Sequence, residues 1–263
     1  AENIVLRESG RISLRKGFKQ KIAPNAAAPN GVAIRSIIEH QDGETNKIFA
    51  SHGTSIYTVD FTTPAGAFPS SGADVKRTVA NTTGDWQFVN FNNRMHCFHE
   101  DSIPQRYDGA APSGEKWSAH YNTTAINDGS NISNSVTTVT VDSTVGFPEN
   151  GKIIIDSEII SYTGITATTF TGLTRAQNST SAATHNNNAV VATATDPVTV
   201  SNGEFKPSCG TGFYGRLWVG GVAEERDVLH YSTLLDGDDF LGGGAFDLKN
   251  VWGKDDIIAI APF

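Results

Sequence analysis

The chain has 263 residues, and 20 Lys plus Arg against 28 Asp plus Glu give a formal net charge of −8. Charged residues make up 18%, below the roughly 25% of an average domain; Gly, Thr, Asn and Ser fill the gap, a profile that suits strands and loops rather than helices. The acidic balance argues against a sequence-reading nucleic-acid binder. No apolar run approaches the roughly 18 residues that cross a bilayer as a helix.

In chain order, the start Ala1-Glu2-Asn3 does not read as a signal peptide. Ile4-Val5-Leu6 and Ile12-Ser13-Leu14 are strand-like pieces around Ser9-Gly10. The most basic stretch of the chain surrounds them, with Arg7, Arg11, Arg15, Lys16, Lys19 and Lys21. Such a run is either a solvated hairpin face or a contact for an acidic partner, through Arg11, Arg15, Lys16 and Lys19. Pro24 to Asn30 lacks periodicity and reads as a loop.

Three later segments repeat one pattern. Lys47-Ile48-Phe49-Ala50 turns back into Ile56-Tyr57, Arg94-Met95-His96-Cys97 into Arg106-Tyr107, and Arg216-Leu217-Trp218-Val219 into His230-Tyr231. Each opens on a basic residue, and each follows another strand: Ile34 to Ile38, Trp86 to Phe91, and Gly212-Phe213-Tyr214. Lys47 and Arg94 are 47 residues apart, and Arg94 and Arg216 are 122 apart. The excess of 75 equals the length of 122–196, a stretch with 16 Thr, six acids and only Lys152 and Arg175 as bases. Removing it restores the period near 47. A period of roughly 40–50 residues, with three or four strands per unit, marks a β-propeller blade.

The inserted stretch reads as a small β-domain of about five strands, over 135–141, 152–155, 159–162, 168–171 and 189–194. Beyond the third repeat, Ile257-Ile258-Ala259-Ile260 reads as the opening strand of a further unit. The predicted fold is therefore all-β, a partial or complete β-propeller with an inserted small β-domain. Its parts are a hairpin and blades over 1–121, the Thr-rich insert over 122–196, and a blade continuation over 197–263 that is expected to be truncated.

No catalytic, cofactor or metal constellation assembles from the motifs. Gly210-Thr211-Gly212-Phe213-Tyr214-Gly215 matches G-x-G-x-x-G, but a strand follows it where a dinucleotide site needs a helix. His96-Cys97-Phe98-His99 puts Cys97 and His99 on one strand face, two ligands where zinc takes four. Cys97 and Cys209 make no disulfide framework. Asp236-Gly237-Asp238-Asp239 is an acidic turn whose carboxylates suit Asx-type turn bonds, with loose calcium binding as the alternative. Glu224-Glu225, Glu100-Asp101 and Asp255-Asp256 read as solvated loop charges.

Several phrases carry a resemblance. Asn93-Arg94-Met95-His96 with Pro104 to Gly109, and Gly215 to Val219 with Val228 to Phe240, resemble blades of the tail-tube nozzle or tail-accessory proteins of short-tailed bacteriophages. Leu14-Arg15-Lys16-Gly17-Phe18 is similar to that family's N-terminal basic-Gly-Phe phrase. Within the insert, Val141 to Pro148, Glu158 to Gly164, and Gly172-Leu173-Thr174-Arg175-Ala176 followed by His185 resemble a β-module embedded in phage structural proteins. The resemblance implies a virion protein without enzymatic activity or cofactor. It implies a ring, commonly hexameric, that contacts adaptor, fibre or portal-proximal proteins and encloses the exit channel of the genome. An acidic wall would let DNA slide without sequence-specific binding.

Two other readings compete. A propeller-type binding module would take a glycan or host receptor, with Trp86, Trp117, Trp218 and Trp252 as candidate pocket walls. A secreted β-hydrolase would need a nucleophile or acid/base pair that the motifs do not supply.

Overall fold

The computed structural model describes residues 4–6, 12–14, 23–24, 34–42, 45–52, 55–59, 67–68, 75–78, 85–111, 114–197, 199–200, 203–249 and 255–261. It is all-β, built of several mostly antiparallel sheets. The two opening strand-like pieces pair as expected, β1 (Ile4–Leu6) with β2 (Ile12–Leu14). Pro24, read as loop, instead ends the short strand β3 (Ala23–Pro24); 25–30 lie outside the described residues.

The first large sheet is a four-stranded meander of β4 (Ile34–Asp42), β5 (Thr45–His52), β6 (Ser55–Val59) and β8 (Val75–Thr78). Between β6 and β8, β7 (Ala67–Phe68) pairs in parallel with β3. The second sheet is β9 (Gln87–Phe91), β10 (Arg94–His99), β11 (Ser102–Ala111) and β12 (Gly114–Ala119).

The insert supplies eight strands where the sequence predicts about five. They are β13 (Thr123–Ala125), β14 (Thr138–Thr140), β15 (Gly151–Ile155), β16 (Glu158–Tyr162), β17 (Gly164–Ile165), β18 (Thr169–Thr171), β19 (Thr174–Gln177) and β20 (Val190–Thr193). A five-stranded sheet in the order β13-β20-β15-β16-β19 faces a three-stranded one, β14-β18-β17. The two close over a core of their own, with Ile126, Val141, Ile153, Ile160, Tyr162 and Phe170 at its centre. Its first and last strands, β13 and β20, are paired neighbours. The chain therefore enters and leaves the module at one place, which is how it interrupts a repeat without breaking it.

The third sheet repeats the four-stranded meander with β21 (Cys209–Phe213), β22 (Arg216–Gly220), β23 (Val228–Tyr231) and β24 (Gly244–Asp247). Its first hairpin and that of the second sheet turn alike. Phe91 pairs with Arg94 across Asn92 and Asn93, at φ 49° and 60°; Phe213 pairs with Arg216 across Tyr214 and Gly215, at φ 47° and 67°. Two-residue turns with both φ positive match the right-handed strand twist, and Asn and Gly bear that conformation at least cost.

First strand packs on first strand through the series, β4 against β9 and β9 against β21. Alternation along each strand then gives the second sheet two buried faces. Met95, Cys97, Tyr107 and Trp117 meet Phe49 and Ile56 of the first sheet. Phe98 and Phe91 meet Leu217, Val219, Phe205 and Phe240 on the other side. The glycines of the G-x-G-x-x-G phrase serve this second seam. A Cβ at Gly210 would lie 2.7 Å from the Phe98 ring, and one at Gly212 3.1 Å from Phe91.

One expectation fails. Residues 255–261 form no strand, although Ile257-Ile258-Ala259-Ile260 has the composition of one. A strand exists by pairing, and among the described residues this segment makes one backbone-to-backbone bond, the Ile257 amide donating to the Arg226 carbonyl at 2.8 Å.

Candidate functional site

The loop joining β23 to β24 carries the acidic turn back to the second sheet. Ser232 starts it, its hydroxyl accepting from the Leu217 amide at 3.0 Å. Asp236 accepts from the Asp238 amide at 3.0 Å, the turn bond the sequence predicts. Asp239 closes the loop by accepting from the Gly242 amide at 2.8 Å. Leu235 lies on the neighbouring turn, where Asn92 donates to its carbonyl at 2.7 Å. Position 237 requires glycine, since a Cβ there would sit 2.8 Å from His96 Nε2 and 3.0 Å from Phe91.

This fold-back brings Asp238 onto the arginines of the second sheet. Arg94 Nη1 lies 3.0 Å from Asp238 Oδ2, and Arg106 Nη1 meets the same oxygen. Asp108 completes the square, 2.7 Å from Arg106 Nε and 3.3 Å from Arg94 Nε. His96 adds its ring 3.8 Å from Asp238 Oδ1. Arg106 is buried. Burial draws its guanidinium below the usual range against the pull of Asp108. Burial, then the charges of Arg106 and Arg94, hold His96 well below the ordinary imidazole value, so it is neutral at pH 7. From the insert, Lys152 Nζ reaches Asp239 Oδ2 at 2.8 Å. Asp238 and Asp239 are thus divided between two arginines and a lysine and do not converge on one point.

Above the network, between insert and second sheet, lies a cleft of about 880 Å³ walled by Asn93, Asp108, Trp117, Glu149 and Asn150. A smaller cleft of about 470 Å³, walled by Lys152, Tyr162 and Asp239, adjoins it at Arg94. The network is therefore the floor of a groove between modules, where ligand sites concentrate.

Two further polar clusters hold the insert. At its neck, His120 Nε2 lies 3.0 Å from Asp196 Oδ1. Asp196 also accepts from the Gly203 amide at 2.8 Å, and Thr195 donates to the His120 carbonyl at 2.9 Å. These residues bracket the module's two ends. Inside it, the buried Glu158 carboxylate is gripped by Arg175 at 2.8 and 2.6 Å and by His185 Nε2 at 2.8 Å. It also accepts from the amides of Ala176 at 3.1 Å and Ala183 at 2.9 Å. His185 Nδ1 turns outward to Asp156 at 2.7 Å. Burial alone would raise Glu158, but hydrogen bonds from Arg175, Ala183, His185 and Ala176 overcome it and hold the acid at about 2.

The proposed contact residues Arg11, Arg15, Lys16 and Lys19 lie outside the described residues, as does Trp252. Trp86 is core, Trp117 walls the larger cleft, and Trp218 lies half-buried on the third sheet. Cys97 and Cys209 are free and buried, and burial pushes the Cys209 thiol up. Glu225 is not simply solvated, for it lies 3.0 Å from the buried His230. Among the described residues no group of three or more His, Cys, Asp and Glu is placed to share a metal ion, and no helix is long and apolar enough to cross a membrane. Sequence reasoning missed the Arg94–Arg106–Asp108–Asp238 square. The available signal was the basic residue that opens each repeat. Compared with family models, with curated proteins and with solved structures, the chain matches none.

Proposed function

We propose that the chain is a structural, non-catalytic subunit of a short-tailed bacteriophage tail, of the nozzle or tube-ring kind, whose sheets are propeller blades beside the genome's exit channel. One observation carries the reading: three meanders, whose second strands carry Lys47, Arg94 and Arg216, pack first strand on first strand, with a module hung across one seam. The charged groups on the floor of the groove are engaged with one another, as a scaffold needs, and the net charge of −8 suits a surface that DNA slides past. Its partners are copies of itself in a ring, commonly a hexamer in such tails, together with adaptor, fibre or portal-proximal proteins. Electron microscopy of the native particle with a labelled insert tests this. A ring with a central hole at the tail end is expected; particles without the chain overturn it.

A second reading, a glycan- or receptor-binding module, draws on the larger cleft, where Trp117 offers an aromatic wall beside Asn93 and Asn150. Saturable glycan binding that is lost in Asn150→Ala would favour it; no binding across a glycan array removes it.

A further inference from the structure

We infer that His96 is a proton-operated latch: on taking up a proton it releases the 232–243 loop from the second sheet and opens the groove. The latch belongs to the seam and does not depend on the tail reading.

His96 is buried, and the charged groups around it are already committed. Arg106 is its cross-strand partner on β11, and Arg94 precedes it on β10. Both guanidiniums engage Asp108 and Asp238. From the loop, Asp238 Oδ1 lies 3.8 Å from Nδ1, too far for a hydrogen bond. The loop also carries Asp236 and Asp239, the latter turned to Lys152. β9 contributes the uncharged ring of Phe91, 6.3 Å away. From the neck of the insert, the charge of His120 opposes a second one on His96.

The other ring nitrogen faces the loop. Nε2 is buried and has no hydrogen-bond partner among the described residues. Packing there is so close that a Cβ on Gly237 would lie 2.8 Å from Nε2 and 2.9 Å from Cε1. The neutral ring fits with its proton on Nδ1, toward Asp238, and a bare lone pair at Nε2. The charged ring does not fit, because it carries a second N–H with no acceptor, beside two guanidiniums.

Of the two surfaces that confine the ring, the loop is the one that yields. His96 is held in its sheet by pairing with Val89 on one side and Arg106 on the other. The loop meets the second sheet through the Asp238 carboxylate, the Asn92 bond to Leu235 O and the Gly237 contact. When it lifts, Nε2 gains water and Asp239 leaves Lys152. The floor then keeps Arg94, Arg106 and Lys152 against Asp108 alone, so the groove opens wider and more basic.

Native-state amide exchange at pH 8 and pH 5, corrected for intrinsic rates, tests the latch on the loop amides of Thr233, Leu235 and Asp238. All three are bonded in the closed loop, to Asp239 O, Gly215 O and Asp236 Oδ1. The open ring takes the ordinary value of 6.5 and the closed ring lies well below it. The opening constant is therefore expected to rise about thirtyfold from pH 8 to pH 5. Amides of β15 and β16 in the module stay unchanged. His96→Gln is expected to abolish the rise whatever it does to stability, since the readout is the slope with pH. His120→Gln and Asp236→Asn, which remove other titrating neighbours, are expected to keep it. Loop opening that does not change with pH overturns the inference. So does a rise that survives His96→Gln, one lost in His120→Gln or Asp236→Asn, or one shared equally by the module.

Discussion

The inserted module and the seam beneath it both bury charge, but to opposite ends. In the module one carboxylate, Glu158, is saturated by partners that lie within 27 residues of it in the chain. In the seam, Arg94 and Asp238 stand 144 residues apart and belong to different sheets. The first arrangement specifies a fold; the second specifies how two folds sit against each other. Removing one member of a buried pair strands the other, which typically costs about 3–5 kcal/mol. Glu158→Gln leaves Arg175 in place with its charge unmatched, so a loss in that range is expected. Hydrogen exchange should show it confined to the strands β15, β16 and β19, with the third sheet unchanged. Loss of protection in the third sheet as well would mean that the module and the seam are one cooperative unit.

Acid separates the two regions next. Glu158 has its folded value at about 2, below the ordinary 4.5. Its contribution is therefore complete above pH 4.5 and is lost as the pH falls toward 2, amounting to about 3 kcal/mol at one unit per 1.36 kcal/mol. His96 is held below 6.5 among Arg94, Arg106, Asp238 and His120. Below pH 6.5 the unfolded chain binds the proton that the folded chain refuses, so stability falls from there downward. The seam should loosen first and the module hold until below pH 4.5. Histidine and backbone NMR across that range checks the order; simultaneous loss refutes it.

Legibility in the sequence follows the same division. Lys47, Arg94 and Arg216 stood out because alternation and basic openers are local patterns, and the size of the insert followed from their spacing. The Glu158, Arg175 and His185 phrases were recognisable as phrases, and the structure brings all three to one carboxylate. Strands of two or three residues such as β17 and β13 are too short to show a period, which is why eight strands read as about five. Ile257 to Ile260 failed for another reason: an apolar composition fixes neither a pairing partner nor burial, and Ile258 is in fact 80% exposed. The Asp238 square was invisible because nothing local says which distant sheet a loop will reach.

A smaller effect is expected at the seam. Asp238→Asn removes the charge shared by Arg94 and Arg106, but Arg106 retains Asp108 at 2.7 Å. A loss of about 1–3 kcal/mol follows, read as a lower urea midpoint. Exchange protection should drop on β9, β10 and the 232–243 loop while the module stays protected. A loss as large as that of Glu158→Gln would remove the distinction between the two kinds of burial.

The smallest effect belongs to Lys152–Asp239, the one ion pair between insert and acidic loop whose lysine keeps a quarter of its side chain in water, 25% against 13% for the aspartate. Water screens such a pair, so its coupling in a double-mutant cycle should fall below about 1 kcal/mol. The cycle is needed because Asp239→Ala also frees the Gly242 amide, a cost unrelated to the lysine. A coupling near zero assigns the module's placement to its neck, where His120, Thr195 and Asp196 cross-link the entering and leaving chain. The lysine then tunes the width of the groove without holding it. A coupling of 2 kcal/mol or more, a value typical of buried pairs, would place Lys152 with Arg94 and Arg106 as a third basic anchor on the loop, and make the module an integral part of the seam.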